Sequence, residues 1–262
     1  MNIIQSIILG IVQGLTEFLP ISSTAHLRIA PALFGWGDPG TAFSAVLQLG
    51  TMIAVIIYFW KDLSKIYGAL ANDLFLIGRK KDLLDTNESK TALWILLGTL
   101  PICIFGLLFK KPIEEGMVRN LNIISFYLIF FGILLFISEL IAKQSRNITK
   151  INALDVILLG LAQSFALIPG VSRAGVTLFA GLLLGFKRAD AARFSFLLSV
   201  PAVFLSGLLE LNTLLQAVKA GSENIIWVNL FVGVFVAFIS GYFSIHFLLK
   251  YLQKNKTNIF VV

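Results

Sequence analysis

The 262-residue chain is 57% hydrophobic and only 13% charged, with a mean hydropathy of +0.88, whereas a soluble domain carries about 25% charged residues. That excludes an ordinary soluble globular protein and points to an all-α integral membrane protein. The net charge of +7 does not call for a nucleic-acid partner, because basic loops beside anionic lipid are its usual source in membrane proteins. The single cysteine, Cys103, excludes an internal disulfide or a CxxC metal or redox motif, and its apolar surroundings make it a packing residue. MNIIQSIILG has no basic region of the kind that opens a cleavable signal peptide, so none is expected.

In chain order, the first apolar segment is ILGIVQGLTEFLPISSTAHL, residues 8–27. It carries Gln13, Glu17, Ser22, Ser23, Thr24 and His26, and Pro20 breaks it. Residues 1–37 are therefore expected to form a re-entrant helix hairpin, which is tolerated at membrane depth only where it lines protein or a water cavity. A spanning helix needs about 20 mostly apolar residues, and 42–60 meets this. Residues 61–90 mix Asp62, Asp73, Asp82, Asp85 and Glu88 with lysines and predict a solvated cytoplasmic loop with a short amphipathic helix. Spans follow at 91–109 and 120–142, then a second broken hairpin at 152–187, then spans at 190–211 and 224–249.

The chain repeats itself. Leu9-Gly10-Ile11-Val12-Gln13 matches Leu159-Gly160-Leu161-Ala162-Gln163, and each run leads to a proline (Pro20, Pro169) and a serine (Ser22, Ser172). Phe43-Ser44 matches Phe194-Ser195, and Gly98 and Gly106 share the spacing of Gly233 and Gly241. The expectation is one polytopic domain of two halves, about 1–145 and 150–262. With the spans above, fifteen Lys and Arg fall on one side and four (Lys110, Lys111, Arg119, Lys219) on the other, with Arg28 and Arg173 inside the hairpins. The positive-inside rule makes the richer side cytoplasmic. Three spans separate the hairpins, so they enter from opposite faces as an inverted-topology repeat and their tips meet near the midplane.

Ionisable groups inside a membrane mark a functional site by default. The first hairpin offers Glu17, His26 and the hydroxyls of Ser22, Ser23 and Thr24. The second offers PGVSRAGVT, residues 169–177, in which Gly170 frees the turn and Ser172, Arg173 and Thr177 are donors at a helix start. A guanidinium fork and helix N–H groups suit phosphate or carboxylate. The plainer reading makes Arg173 the buried counter-ion of Glu17 and the polar groups mere partners for a broken backbone, which leaves His26 and so many hydroxyls unexplained. Elsewhere the expectations are structural. His246 packs, Glu139 and Glu210 snorkel to the interface, Asp190 and Arg193 pair at i,i+3, and Trp36, Trp60 and Trp227 belong to an aromatic belt.

QGLTE (13–17), PISSTAH (20–26) and PGVSRAGVT (169–177), with FWKDL (59–63), LLGTLP (96–101) and FSFLLSVPA (194–202), resemble the undecaprenyl-diphosphate phosphatase family, also called the bacitracin-resistance protein family. The resemblance implies a multi-pass enzyme of the bacterial inner membrane that removes the terminal phosphate of undecaprenyl diphosphate and so recycles the lipid carrier for peptidoglycan. It implies two re-entrant hairpins in inverted repeats, an active site open to the outer face, and tolerance of bacitracin. Glu17 matches the second acid of the (E/Q)xxxE motif and Gln13 its first position. Ser22, Ser23 and His26 match the serine pair and the histidine after it. Ser172, Arg173 and Thr177 match PGxSRSxxT, where Ala174 replaces the usual second serine. A further spanning helix is usual in the family after NIFVV, and here it is expected to be absent.

The expected roles follow. Gln13, Ser22, Thr24, Ser172, Arg173 and Thr177 bind the diphosphate, and Glu17, Ser23, His26 and Arg173 are the candidate catalytic groups. Three nucleophiles stay open: Ser23 activated by His26 or Glu17, His26 itself, or a water activated by Glu17. Glu17 is also the candidate ligand of a divalent cation, Mg or Ca. The bilayer, the lipid substrate and a second copy in a homodimer are the expected partners. The rival class is a transporter of polyprenyl phosphate or of a small anion past Arg173, because broken hairpins in inverted repeats are common transporter architecture.

Overall fold

The computed structural model describes residues 2–75, 86–109, 120–219 and 226–261. Among these, ten α-helices form in order: α1 (Ile3–Phe18), α2 (Ser23–Leu33), α3 (Gly40–Tyr58), α4 (Trp60–Phe75), α5 (Asn87–Leu108), α6 (Leu121–Ile141), α7 (Ala153–Ser164), α8 (Arg173–Leu183), α9 (Arg188–Lys219) and α10 (Trp227–Leu252). Four of them, α5, α6, α9 and α10, are long and apolar enough to cross a membrane. Helices α3 and α4, with a 76° turn between them, meet the same test of length and composition only as a pair. The protein is an all-α membrane protein.

The hairpins α1–α2 and α7–α8 begin alike. At α1 the Asn2 side chain accepts from the Gln5 N–H at 2.9 Å, and Gln5 accepts from the Asn2 N–H at 2.9 Å. At α7, Asn152 and Asp155 exchange the same two bonds at 3.0 Å each. These reciprocal caps satisfy two N-terminal donors that have no partner within the helix. Ser22 and Ser172 in turn cap α2 and α8, accepting from Ala25 N at 3.4 Å and from Gly175 N at 3.1 Å. Asn2, Gly10, Gln13 and Ser22 thus recur as Asn152, Gly160, Gln163 and Ser172, each 150 positions on.

Each hairpin packs on a helix of the other half. A Cβ on Gly10 would lie 2.6 Å from the Gly233 carbonyl of α10, and one on Gly160 would lie 2.5 Å from the Gly98 carbonyl of α5. Bare glycines are what let these backbones touch, the usual device where lipid offers no hydrophobic drive. Ser240 and Ser244 of α10 strengthen the first contact by donating to Gly10 O at 3.2 Å and Leu15 O at 3.0 Å. Exchanging α1 with α7 and α10 with α5 maps one contact onto the other. Gly98 and Gly233 thus make equivalent close contacts in the two halves of the inverted repeat.

Burial separates core from periphery. Half of the α9 span is buried inside the protein against 17% of α6, so α9 is central and α6 faces lipid along one side. Phe18, at the end of α1, meets Phe196 of α9 edge-on at 5.3 Å.

Several expectations need correcting. Glu139 does not snorkel. Its side chain is fully buried and accepts from Arg188 Nε at 2.8 Å and 3.0 Å, from Thr257 N at 3.2 Å, from Thr257 Oγ1 at 2.9 Å and from Gln144 Nε2 at 3.2 Å. This ties α6 to the start of α9 and to the 3-10 turn Thr257–Phe260. Asp190 and Arg193 do not pair with each other. Asp190 accepts from Ile148 N at 3.2 Å, and Arg193 pairs with Asp62 of α4 at 2.7 Å, because both side chains face other elements across the interface. Residues 61–75 of the expected loop are helical and 87–90 open α5, while 76–85 lie outside the described residues. The same holds for Arg79, Lys80, Lys81, Lys110, Lys111 and Arg119, whose charges entered the topology argument. The span expected at 190–211 extends over Arg188–Lys219.

Candidate active site

Two chain breaks bring the polar groups together. Pro20 ends α1, and Gly170, at φ +89°, turns the chain into α8. A Cβ on Gly175 would stand 3.5 Å from the Pro20 Cβ, so the two tips touch. The Ser172 hydroxyl reaches across to Leu19 O at 3.5 Å.

Glu17 is the hub. Its Oε1 takes Arg173 Nη2 in an ion pair across the two hairpins. Its Oε2 accepts from Gln13 Nε2 at 2.9 Å, one helical turn back, and from Ser23 Oγ at 2.6 Å. Gln13 Nε2 also reaches Thr51 Oγ1 of α3 at 3.5 Å. The Glu17 side chain is 5% exposed and that of Arg173 17%. Among the described residues Arg173 makes this one side-chain bond, which leaves four of its five N–H donors for a ligand.

His26 stands apart from this cluster. Its Nδ1 lies 2.9 Å from Ser22 O. A carbonyl only accepts, so Nδ1 carries a proton, and the tautomer this selects has its lone pair on Nε2. Ser22 itself holds φ +66°, ψ +102°, a sparsely populated conformation for a residue with a side chain, and its Oγ lies 3.1 Å from Thr24 Oγ1. Thr24 is exposed. Thr177 is almost fully buried, its hydroxyl 2.8 Å from Arg173 O and bonded to Ser195 of α9. It thus fixes the turn that carries Arg173 and docks it on α9.

Thr51 and Ser195, which support the site from α3 and α9, escaped the sequence reading. The Phe43-Ser44 and Phe194-Ser195 match marked Ser195 as a repeat position, and nothing beyond that pointed to the site. Gln163, at Gln13's place in the repeat, is fully buried, and among the described residues neither of its amide atoms has a partner. Leu167 stands where a second Glu17 would have met it.

A divalent cation needs several oxygen ligands. Glu17 is the one carboxylate of this cluster, both its oxygens accept from protein donors, and a guanidinium lies against it. No group of three His, Cys, Asp or Glu comes together among the described residues. The donor set does not fit a protein-held Mg or Ca.

The arrangement as a whole offers a hydroxyl hydrogen-bonded to an oriented carboxylate, a largely free guanidinium at a helix start, and an imidazole with a lone pair. That set binds an anionic oxygen group and moves a proton beside it.

Residues 6–262 match the family model "Bacitracin resistance protein BacA". The Undecaprenyl-diphosphatase of Chlorobaculum tepidum is 48% identical, over the whole chain and 93% of the relative. Those of Chlorobaculum parvum and Myxococcus xanthus are 50% and 49% identical, over the whole chain and 93% and 85% of the relatives. With its several apolar helices the chain is a multi-pass membrane protein, and it belongs to the bacitracin resistance protein BacA family.

Proposed function

We propose that this chain hydrolyses undecaprenyl diphosphate to undecaprenyl phosphate and phosphate in the bacterial plasma membrane, with its site open to the outer face. The product re-enters peptidoglycan synthesis, and the activity confers bacitracin resistance. The observation that carries the chemistry is the Ser23 Oγ to Glu17 Oε2 bond at 2.6 Å, with Glu17 held in turn by Gln13 and Arg173. A nucleophile, its base and the groups that orient the base are what covalent catalysis requires. The names of the curated relatives put hydrolysis ahead of transport.

The free N–H groups of Arg173, with the α8 N-terminus behind Ser172, bind the phosphates and offset the charge on the equatorial oxygens during in-line transfer. Ser23 Oγ bonds to the terminal phosphorus as its proton passes to Glu17 Oε2. The bond from phosphorus to the bridging oxygen breaks, and its electron pair leaves with undecaprenyl phosphate. Water then attacks the phosphoserine and gives a proton to His26 Nε2, which lies one turn on along the same face of α2. The bond to Ser23 breaks, Glu17 returns the serine proton, and His26 later releases its own to solvent.

A second reading makes His26 the nucleophile, favoured by the tautomer that its bond to Ser22 O imposes. The test is phosphate release from undecaprenyl diphosphate by the purified protein, with acid quenching of a labelled phospho-enzyme. Ser23→Ala is expected to lose roughly 10³-fold or more in turnover, and the wild-type label is expected to survive acid as phosphoserine. An acid-labile label that persists in Ser23→Ala and vanishes in His26→Ala would transfer the nucleophile to His26. Uptake without release would mean a transporter.

A further inference from the structure

His246 is expected to pack, yet it is exposed. Tyr242, His246 and Lys250 stand in line along α10 at successive i,i+4 positions, and all three are exposed. Phe243 and Phe247 are exposed beside them, so this face of the helix meets lipid. The 26 residues of α10 make about 39 Å of helix, against about 30 Å of hydrocarbon core. Lys250, in the last turn, therefore stands among the lipid head groups. His246 lies one turn deeper, about 6 Å in, at the edge of the core.

Helix α3 ends beside His246. Tyr58 Oη lies 3.4 Å from His246 Nδ1, and the rings of Tyr58 and Tyr242 meet edge-on at 5.3 Å. Phe59, next in the chain, is buried. The Arg193 guanidinium lies 5.5 Å from the centre of its ring and pairs with Asp62 at the start of α4, which holds the bend between α3 and α4. Among the described residues Tyr58 is the one hydrogen-bond partner of His246. An imidazole at the edge of the core is costly unless both its nitrogens are paired. In the tautomer in which Tyr58 donates to Nδ1, the proton sits on Nε2, which is then a donor facing lipid.

We propose that His246 Nε2 and Lys250 Nζ bind the phosphate of an anionic phospholipid, with Tyr58 orienting the imidazole. The site shares no residue with the cluster around Glu17 and goes beyond the hydrolytic reading. Charge selects this occupant. Lys254 and Lys256 follow Lys250, and no acidic residue follows Glu223 in the sequence. An ammonium and an N–H donor match a phosphodiester oxygen, basic residues at a membrane surface draw anionic lipid, and the acyl chains lie along Phe243 and Phe247. A zwitterionic head group brings its own cation, which the lysines repel.

The test titrates the full chain in detergent with phosphatidylglycerol, phosphatidylcholine or inorganic phosphate and reads binding by native mass spectrometry. The double variant His246→Phe, Lys250→Met keeps the bulk of the lipid-facing surface and removes both donors. Tyr58→Phe removes only the bond that orients the ring. Lys143→Ala, Lys150→Ala removes two exposed charges elsewhere. Phosphatidylglycerol is expected to bind the wild-type chain about tenfold or more tighter than phosphatidylcholine, and the His246, Lys250 variant to lose that advantage, as befits charge-assisted bonds. Tyr58→Phe should raise the Kd about threefold, the size of one modest hydrogen bond, and the Lys143, Lys150 variant should leave it within about twofold. Equal binding of the two lipids by the wild-type chain overturns the proposal, as does an unchanged Kd in the His246, Lys250 variant. An equal loss in the Lys143, Lys150 variant overturns it too, because general surface charge would then suffice. Inorganic phosphate that binds as tightly as phosphatidylglycerol would make this a site for a free anion and not for a lipid.

Discussion

Arg173, the first residue of α8, ion-pairs with Glu17, near the end of α1, across 156 residues of sequence. One bond thereby joins the two halves of the repeat at their breaks. Removing one partner of a largely buried pair leaves the other charge uncompensated, at a cost of about 3–5 kcal/mol. Arg173→Ala and Glu17→Ala are each expected to lose phosphate release and to unfold at lower temperature. The double variant Glu17→Gln, Arg173→Met should recover most of the stability and none of the activity. Thermal unfolding and turnover of all three, measured in one detergent, check this separation.

Ser22 and Ser172 occupy the same repeat position and cap equivalent helices, but only Ser22 has a positive φ. Ser22→Gly should therefore stabilise the protein by about 1 kcal/mol, since relief of strain exceeds the few tenths lost from the cap. Ser172→Gly relieves nothing and should destabilise slightly. Paired melting curves that move in the same direction would contradict the backbone assignment.

Gly10 and Gly160 should respond alike to alanine. Each substitution forces a methyl against a carbonyl of the partner helix, and overpacking of this kind costs typically 1–3 kcal/mol. Gly10→Ala moves the helix that carries Glu17, so its phosphate release should fall beyond what the loss of folded protein explains. Activity per folded molecule makes that distinction.

Glu139 fastens the turn Thr257–Phe260 through both the backbone and the hydroxyl of Thr257. Glu139→Gln removes a charge-assisted partner worth about 1.5–3 kcal/mol. Amide exchange at 257–261 should accelerate, with the bonds at Glu17 unchanged.

Much of this was legible because a repeat carries its information twice. Gln13 and Gln163, Pro20 and Pro169, Gly98 and Gly233 are matched between the halves, and polar residues in an oily chain stand out without any structure. Once the hairpins were placed on opposite faces, the meeting of Glu17 with Arg173 followed. The partners of Glu139 were hidden because Arg188 and Thr257 lie 49 and 118 residues away, in segments that read as ordinary helix ends. Asp190 and Arg193 misled for the converse reason, since a plausible local pair was overridden by tertiary neighbours. The conformation of Ser22 had no signal at all, as a positive φ is legible only where glycine supplies it.

The contact between Gly10 and Gly233 also dictates an order of assembly. Helix α1 is made more than 200 residues before α10, on which it packs, and the two hairpins cannot be joined before Arg173 has been added. For most of translation, then, a hairpin bearing Glu17, Ser23 and His26 must wait at the membrane without its final neighbours. A chain stopped short of α10 would contain every group of the proposed reaction and still be unable to seat them.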